Sequence, residues 1–139
     1  MKAIWTRRGA IGAALGAAVG GLLPGCGGAK LHRVSGRVTF AGQPVPLGKV
    51  YFTPDATKGN AGTPGYADIK DGAYDTGSAG GQGCAGGPVT VRIEGSDGTK
   101  VLFLNYMTTA DLSQEATTKD FDVPQSAAAK LPKDTGPPP

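Results

Sequence analysis

Val89-Thr90-Val91-Arg92-Ile93-Glu94 alternates apolar and polar side chains without a break. Successive side chains of an extended strand point to opposite faces, so a period of two describes a strand with one buried and one wet face. A helix would place apolar residues every three or four positions instead. Ser96-Asp97-Gly98 closes this strand with turn residues. Upstream, Gly77 to Pro88 is glycine-rich and reads as a long loop. Before it, Tyr66 to Ile69 and Ala73 to Thr76 flank Lys70-Asp71-Gly72, and Asp-Gly between two such runs is a hairpin signal. Lys49-Val50-Tyr51-Phe52-Thr53 is a further strand, ended by Pro54-Asp55 and a polar loop from Ala56 to Gly65. Val34, Gly36, Val38 and Phe40 alternate with Ser35, Arg37 and Thr39, and Ala41-Gly42-Gln43-Pro44 turns the chain. Downstream, Val101 to Met107 is apolar enough for a strand. Thr117 to Val123 is the last, with Phe121 and Val123 on one face and Asp120 and Asp122 on the other. No segment past residue 25 keeps a helical period, so the expected fold is all-β, a single β-sandwich of six or seven strands over residues 34–124.

The N-terminus carries an address rather than a strand. Lys2, Arg7 and Arg8 precede an uncharged run of Ala, Gly, Ile, Leu and Val from Ala10 to Leu23. The run falls short of the ~20 apolar residues that span a bilayer as a helix. A basic start, a short apolar stretch and a small-residue exit describe a helical signal peptide over residues 1–25. Leu23-Pro24-Gly25-Cys26 resembles the bacterial lipobox, matching at Leu23, Gly25 and Cys26 and departing at Pro24. That resemblance implies diacylation of Cys26, an anchor in a membrane through the lipid, and a flexible tether over residues 26–33. It implies an exported protein held in the cell envelope, with the outer membrane favoured, on its periplasmic face or at the surface. Thr6-Arg7-Arg8 resembles the start of a twin-arginine signal, leaving two export routes open.

Removing residues 1–25 takes three of the 14 basic residues and none of the 11 acidic ones, so the remainder balances at 11 against 11. The chain's +3 charge therefore belongs to the address, and no basic footprint for nucleic acid is left. From Pro124 on, Ala, Lys, Pro and Gly dominate, and residues 125–139 read as a disordered tail.

Val34-Ser35-Gly36-Arg37-Val38, the turn Gly42-Gln43-Pro44-Val45, the hairpin Asp71-Gly72-Ala73-Tyr74 and the strand Val89-Thr90-Val91-Arg92-Ile93 occur in an order that resembles carboxypeptidase-regulatory-like domains. Tyr106-Met107-Thr108-Thr109-Ala110-Asp111-Leu112 and Phe121-Asp122-Val123-Pro124 are similar to segments of small bacterial lipoproteins built on that module. The resemblance implies a Greek-key, transthyretin-like (prealbumin-like) sandwich and an envelope setting. It implies no activity.

Candidate chemistry is sparse. Gly81-Gln82-Gly83-Cys84-Ala85-Gly86 fits G-x-G-x-x-G, but an alternating strand follows it where a phosphate-binding loop needs a helix. Cys84 and His32 could pair as nucleophile and base, against the plainer reading of a tether histidine and an exposed loop thiol. Asp68, Asp71 and Asp75 cluster on one hairpin without EF-hand spacing, so turn and solvent roles are preferred to calcium. Tyr51, Tyr66, Tyr74 and Tyr106 form a ligand face if they point outward, and cap the core edge if they do not. The reading is a lipid-anchored envelope protein with a structural or protein-interaction role and no catalysis, metal or cofactor. A carbohydrate- or peptide-binding module on envelope protein or polysaccharide is the alternative, and a small thiol-dependent enzyme using Cys84 is the third.

Overall fold

A computed structural model describes residues 30–129. Residues 1–29, which include the expected signal with Leu23, Gly25 and Cys26 and the start of the expected tether, and residues 130–139 lie outside the described residues. The fold is all-β. Among the described residues there are nine strands, two single-turn 3₁₀ helices and no α-helix.

β1 (Val34–Phe40) buries Val34 and Val38 and exposes Arg37. It turns through Ala41-Gly42, both at positive φ, into the two-residue β2 (Gln43–Pro44). β3 (Leu47–Pro54) runs antiparallel to β4 (Gly65–Lys70), which returns through Asp71-Gly72 into β5 (Ala73–Asp75). Asp71 at φ 50° and Gly72 at φ 76° give the two-residue turn that matches strand twist, as the Asp-Gly signal requires. β6 (Gly87–Ser96) pairs with β3 on one side and with β7 (Val101–Leu112) on the other. β8 (Thr117–Thr118) and β9 (Phe121–Val123) run parallel to β1 along its second edge. The order is β2-β1-β5-β4-β3-β6-β7, with β8 and β9 attached to β1.

This connected sheet curls into a half-barrel whose two ends meet over the core. Phe40 of β1 packs on Phe103 of β7 with ring centroids 5.1 Å apart. Phe52, Tyr74 and Phe121 form a second aromatic cluster with centroids 5.9–6.2 Å apart. Val50, Val91, Ile93 and Val123 are fully buried in the same core. Each such side chain contributes on the order of 1.5–3 kcal/mol when removed from water. The alternating runs therefore decide which face of each strand lines the core.

Four expectations are revised. The strand starting at Val101 runs on to Leu112, because Tyr106, Thr108 and Ala110 alternate inward opposite Ile93, Val91 and Val89. The single strand expected over Thr117–Val123 is split, because Lys119 and Asp120 cross over Gly36 on the core-facing side of β1, where the Lys119 carbonyl accepts from the buried Tyr74 hydroxyl. Lys119 N–H donates to the Ser35 carbonyl, and the Asp120 carboxylate accepts from Arg37 N–H at 2.8 Å. The tether joins the sheet at its end: His32 exchanges backbone bonds with Cys84, and Arg33 pairs with Asp75. At the other boundary, Gln125–Ala127 forms a 3₁₀ turn and Ala128 bridges to Phe103, so folded chain continues past residue 124.

The glycine-rich loop is also more ordered than its composition suggests. Gln82 pairs with Tyr66 and Cys84 pairs with His32, filling the sheet beyond the short β5. A side chain at Gly83 would put its Cβ 2.7 Å from the His32 carbonyl oxygen, so glycine here permits backbone to meet backbone.

Candidate functional site

The four tyrosines separate into two pairs. Tyr74 is buried, with 3% exposed, and its hydroxyl donates to the Lys119 carbonyl. Burial raises its pKa, with the Asp120 charge adding to the effect. Tyr106 lies opposite Ile93 and packs half-buried against the core. These two are structural, and no face of four tyrosines exists. Tyr51 and Tyr66, by contrast, are register partners on the solvent face of β3 and β4.

The same row continues across the sheet. Tyr51 is opposite Arg92 of β6, and Arg92 is opposite Met107 of β7. One line of four adjacent strands thus presents Tyr66, Tyr51, Arg92 and Met107 to solvent. The Arg92 guanidinium sits 4.1 Å from the Tyr51 ring centroid. The Lys49 ammonium lies 5.9 Å from the Tyr51 ring and 5.5 Å from the Tyr66 ring. Such contacts are electrostatic attractions to the ring face, worth about 0.5–1 kcal/mol at exposed sites.

Carboxylates and an amide hold these cations in place. Lys49 pairs with Asp68 at 3.6 Å and Arg92 with Glu94 at 3.7 Å. Tyr51 O–H donates to Glu94 at 3.3 Å, and Arg92 donates to the Asn105 side-chain oxygen at 3.1 Å. Asn105 is placed to accept by a bulge, where its φ is 51° and the β6–β7 register shifts. Leu47, Val101, Leu104 and Met107 are the apolar members of this face, 46%, 40%, 55% and 55% exposed. The arrangement can recognise a surface: its aromatic and arginine groups are pre-positioned, and the exposed apolar side chains would gain from burial. Sequence reading found Tyr51 and Tyr66 but missed Arg92 and Met107. The alternation of β6 already put Arg92 on the wet face; what was missing was the register that brings it beside Tyr51.

The other candidates resolve differently. Cys84 is fully buried, and burial pushes its thiol up to about 11. His32 is its backbone partner, so the pair is adjacent, but no hydrogen bond joins the two side chains. A buried thiol held protonated is a packing group, not an activated nucleophile. The expectation of an exposed loop thiol is therefore corrected, as is that of an idle tether histidine. The G-x-G-x-x-G segment leads into β6 rather than a helix, and its Gly83 serves strand contact. Among the described residues no three carboxylate, His or Cys groups come together to hold a metal. Asp75 is taken by Arg33 and Gly77 N–H, Asp68 by Lys49, and Asp71 sits in its turn.

An open groove of roughly 710 Å³ lies beside the platform, between β5 and the Lys119-Asp120 crossing. Its carboxylates Asp68, Asp75 and Asp120 already have partners. Among the described residues, its cations Arg37 and Lys70 pair with no carboxylate. No family model matches the chain, and neither does a curated protein or a solved structure.

Proposed function

We propose that this chain is a non-catalytic interaction module of the cell envelope, which presents the outer face of β4, β3, β6 and β7 to another protein. The observation that carries the reading is the in-register row Tyr66, Tyr51, Arg92 and Met107, with Arg92 stacked 4.1 Å over Tyr51. Tyr, Arg and Met are the residue types enriched where proteins meet, and buried Tyr and Arg dominate binding energies there. A polysaccharide is the second reading. It is less favoured because sugars stack on open ring faces, and here Arg92 and Lys49 already lie over them.

The envelope setting rests on the basic start, the apolar run and Leu23-Pro24-Gly25-Cys26, with lipid on Cys26 as the anchor. The finer fold reading, a Greek-key sandwich of the transthyretin-like kind found in carboxypeptidase-regulatory-like domains, rests on the order of the quoted motifs. The curled sheet is compatible with it.

The test is cross-linking in native membranes, comparing the unaltered chain with Tyr51→Ala/Arg92→Ala and with Tyr74→Phe. The expected outcome is a protein adduct that the double variant loses and Tyr74→Phe keeps. An adduct pattern indifferent to Tyr51 and Arg92 sinks the proposal. Glycan-array retention that depends on Tyr51 and Tyr66, without a protein adduct, establishes the polysaccharide reading instead. Intact mass from the membrane fraction checks the anchor independently: the expected species begins at Cys26 and carries a diacylglyceryl group.

A further inference from the structure

We propose that β7 pairs edge to edge with β7 of a second copy of this chain, over Asn105–Asp111. β7 binds β6 along one side. On its other side, among the described residues, strand-like contact is confined to Phe103 with Ala128 and to Leu102, whose carbonyl accepts from Ala129 N–H. Among the described residues, the backbone groups of residues 105–111 that point away from β6 have no strand beside them and form an open row. Such a row is a template for another strand, and proteins ordinarily blunt it with lysine, proline or brevity. β7 is the longest strand described, has no Lys, Arg or Pro from Asn105 to Leu112, and carries one charge there, Asp111.

The row fits its own copy better than it fits a foreign strand. It offers a foreign strand a single carboxylate and no cation with which to select it. A second copy meets it in a self-complementary way. A two-fold axis perpendicular to the sheet requires facing residues to share a sheet face, which fixes the parity of the register. With Thr108 on the axis, Tyr106 faces the partner's Ala110, and Met107 faces the partner's Thr109. The Asn105 amide faces the partner's Asp111 carboxylate, while the two Asp111 side chains stand at opposite ends of the pair. A second observation points the same way. Tyr106, Thr108 and Ala110 face the core but are only half-buried, because the sheet stops beside them. A neighbouring strand covers all three, and facing side chains are the unit of sheet stabilisation. The inference does not depend on the Tyr51–Arg92 platform: self-pairing can fail while cross-linking to another protein persists, and the reverse.

The experiment is sedimentation and mild oxidation of the full chain, unaltered and with single substitutions. Dimers at high protein concentration are expected. Thr109→Lys, which sets two like charges near the axis, is expected to weaken them by up to about fivefold, whereas Thr53→Lys on the central β3 leaves them unchanged. Facing Cα atoms in antiparallel pairs are about 4.5–5.5 Å apart, within disulfide reach. Thr108→Cys is therefore expected to yield a covalent dimer that neither the unaltered chain nor Thr53→Cys gives. A chain that stays monomeric at submillimolar concentration overturns the proposal. So does a dimer indifferent to Thr109→Lys that leaves Thr108→Cys uncross-linked. Amides of residues 105–111 that point away from β6, if protected from exchange in a complex holding one copy of this chain, also overturn it, since a foreign strand then occupies the edge.

Discussion

Cys84 shows how far a single residue can be read from sequence. A lone cysteine in a run of glycines looks exposed and reactive, because glycines cover nothing. The loop is instead laid into the sheet, with Cys84 against Gly65 and paired to His32. Its thiol, pushed to about 11, is expected to react with iodoacetamide far more slowly than free cysteine at neutral pH, and to match it once urea unfolds the chain. A native rate at or above that of free cysteine would reinstate the thiol-enzyme reading. The raised value also has a stability consequence. The group is ordinary at 9.0 when unfolded and higher when folded, so its contribution is complete below pH 9.0 and is lost as pH rises towards 11. The urea midpoint is expected to fall across that window in the unaltered chain, and less so in Cys84→Ala.

At the scale of elements, β1 is the strand on which the most pieces converge. β5 and β2 lie along one of its edges, β8 and β9 along the other. Gly36 makes the crossing between β8 and β9 possible. A Cβ there would stand 2.1 Å from the Lys119 carbonyl oxygen and 2.9 Å from the Asp120 carboxylate. Gly36→Ala is therefore expected to cost about 2 kcal/mol or more, read as a lowered urea midpoint, since only backbone movement can relieve the contact. A variant within about 0.5 kcal/mol of the unaltered chain would mean that the crossing is not held as described. The existence of β1, β3, β4, β5 and β6 was legible in the alternation of their side chains, and the Asp71-Gly72 hairpin in its turn residues. Which strands neighbour β1 was not, because pairing between residues 34–40 and 117–123 is set by packing across most of the chain. Register was hidden for the same reason, so the tyrosines could be named while the row that unites two of them with Arg92 could not.

For the whole molecule, net charge says little and paired carboxylates say more. Hydrogen bonds from Arg33 and from Gly77 N–H hold Asp75 below the usual carboxylate value; Thr57 does the same for Asp55, and the Lys100 and Thr99 amides for Asp97. A lowered folded value means stability that is complete above the unfolded value of 3.8 and is lost as pH falls through the folded ones. The midpoint of urea unfolding is expected to hold from neutral pH down to about 5 and then to drop towards about 2. Arg33→Gln is expected to flatten part of that drop, and an unchanged acid profile in that variant would exclude the Arg33–Asp75 pair from the effect. The curl of the sheet has one further consequence. Residues 121–129 touch both of its ends, β9 lying on β1 and Ala128 on β7. The strand that is synthesised early thus waits for partners that are synthesised late. Distant pairings of this kind form slowly, because a long stretch of chain must close before any contact rewards it. Local hairpins such as β4–β5 can form early, but the curled sheet closes only once residues 121–129 have been made, so the last step of folding follows synthesis of the domain instead of accompanying it.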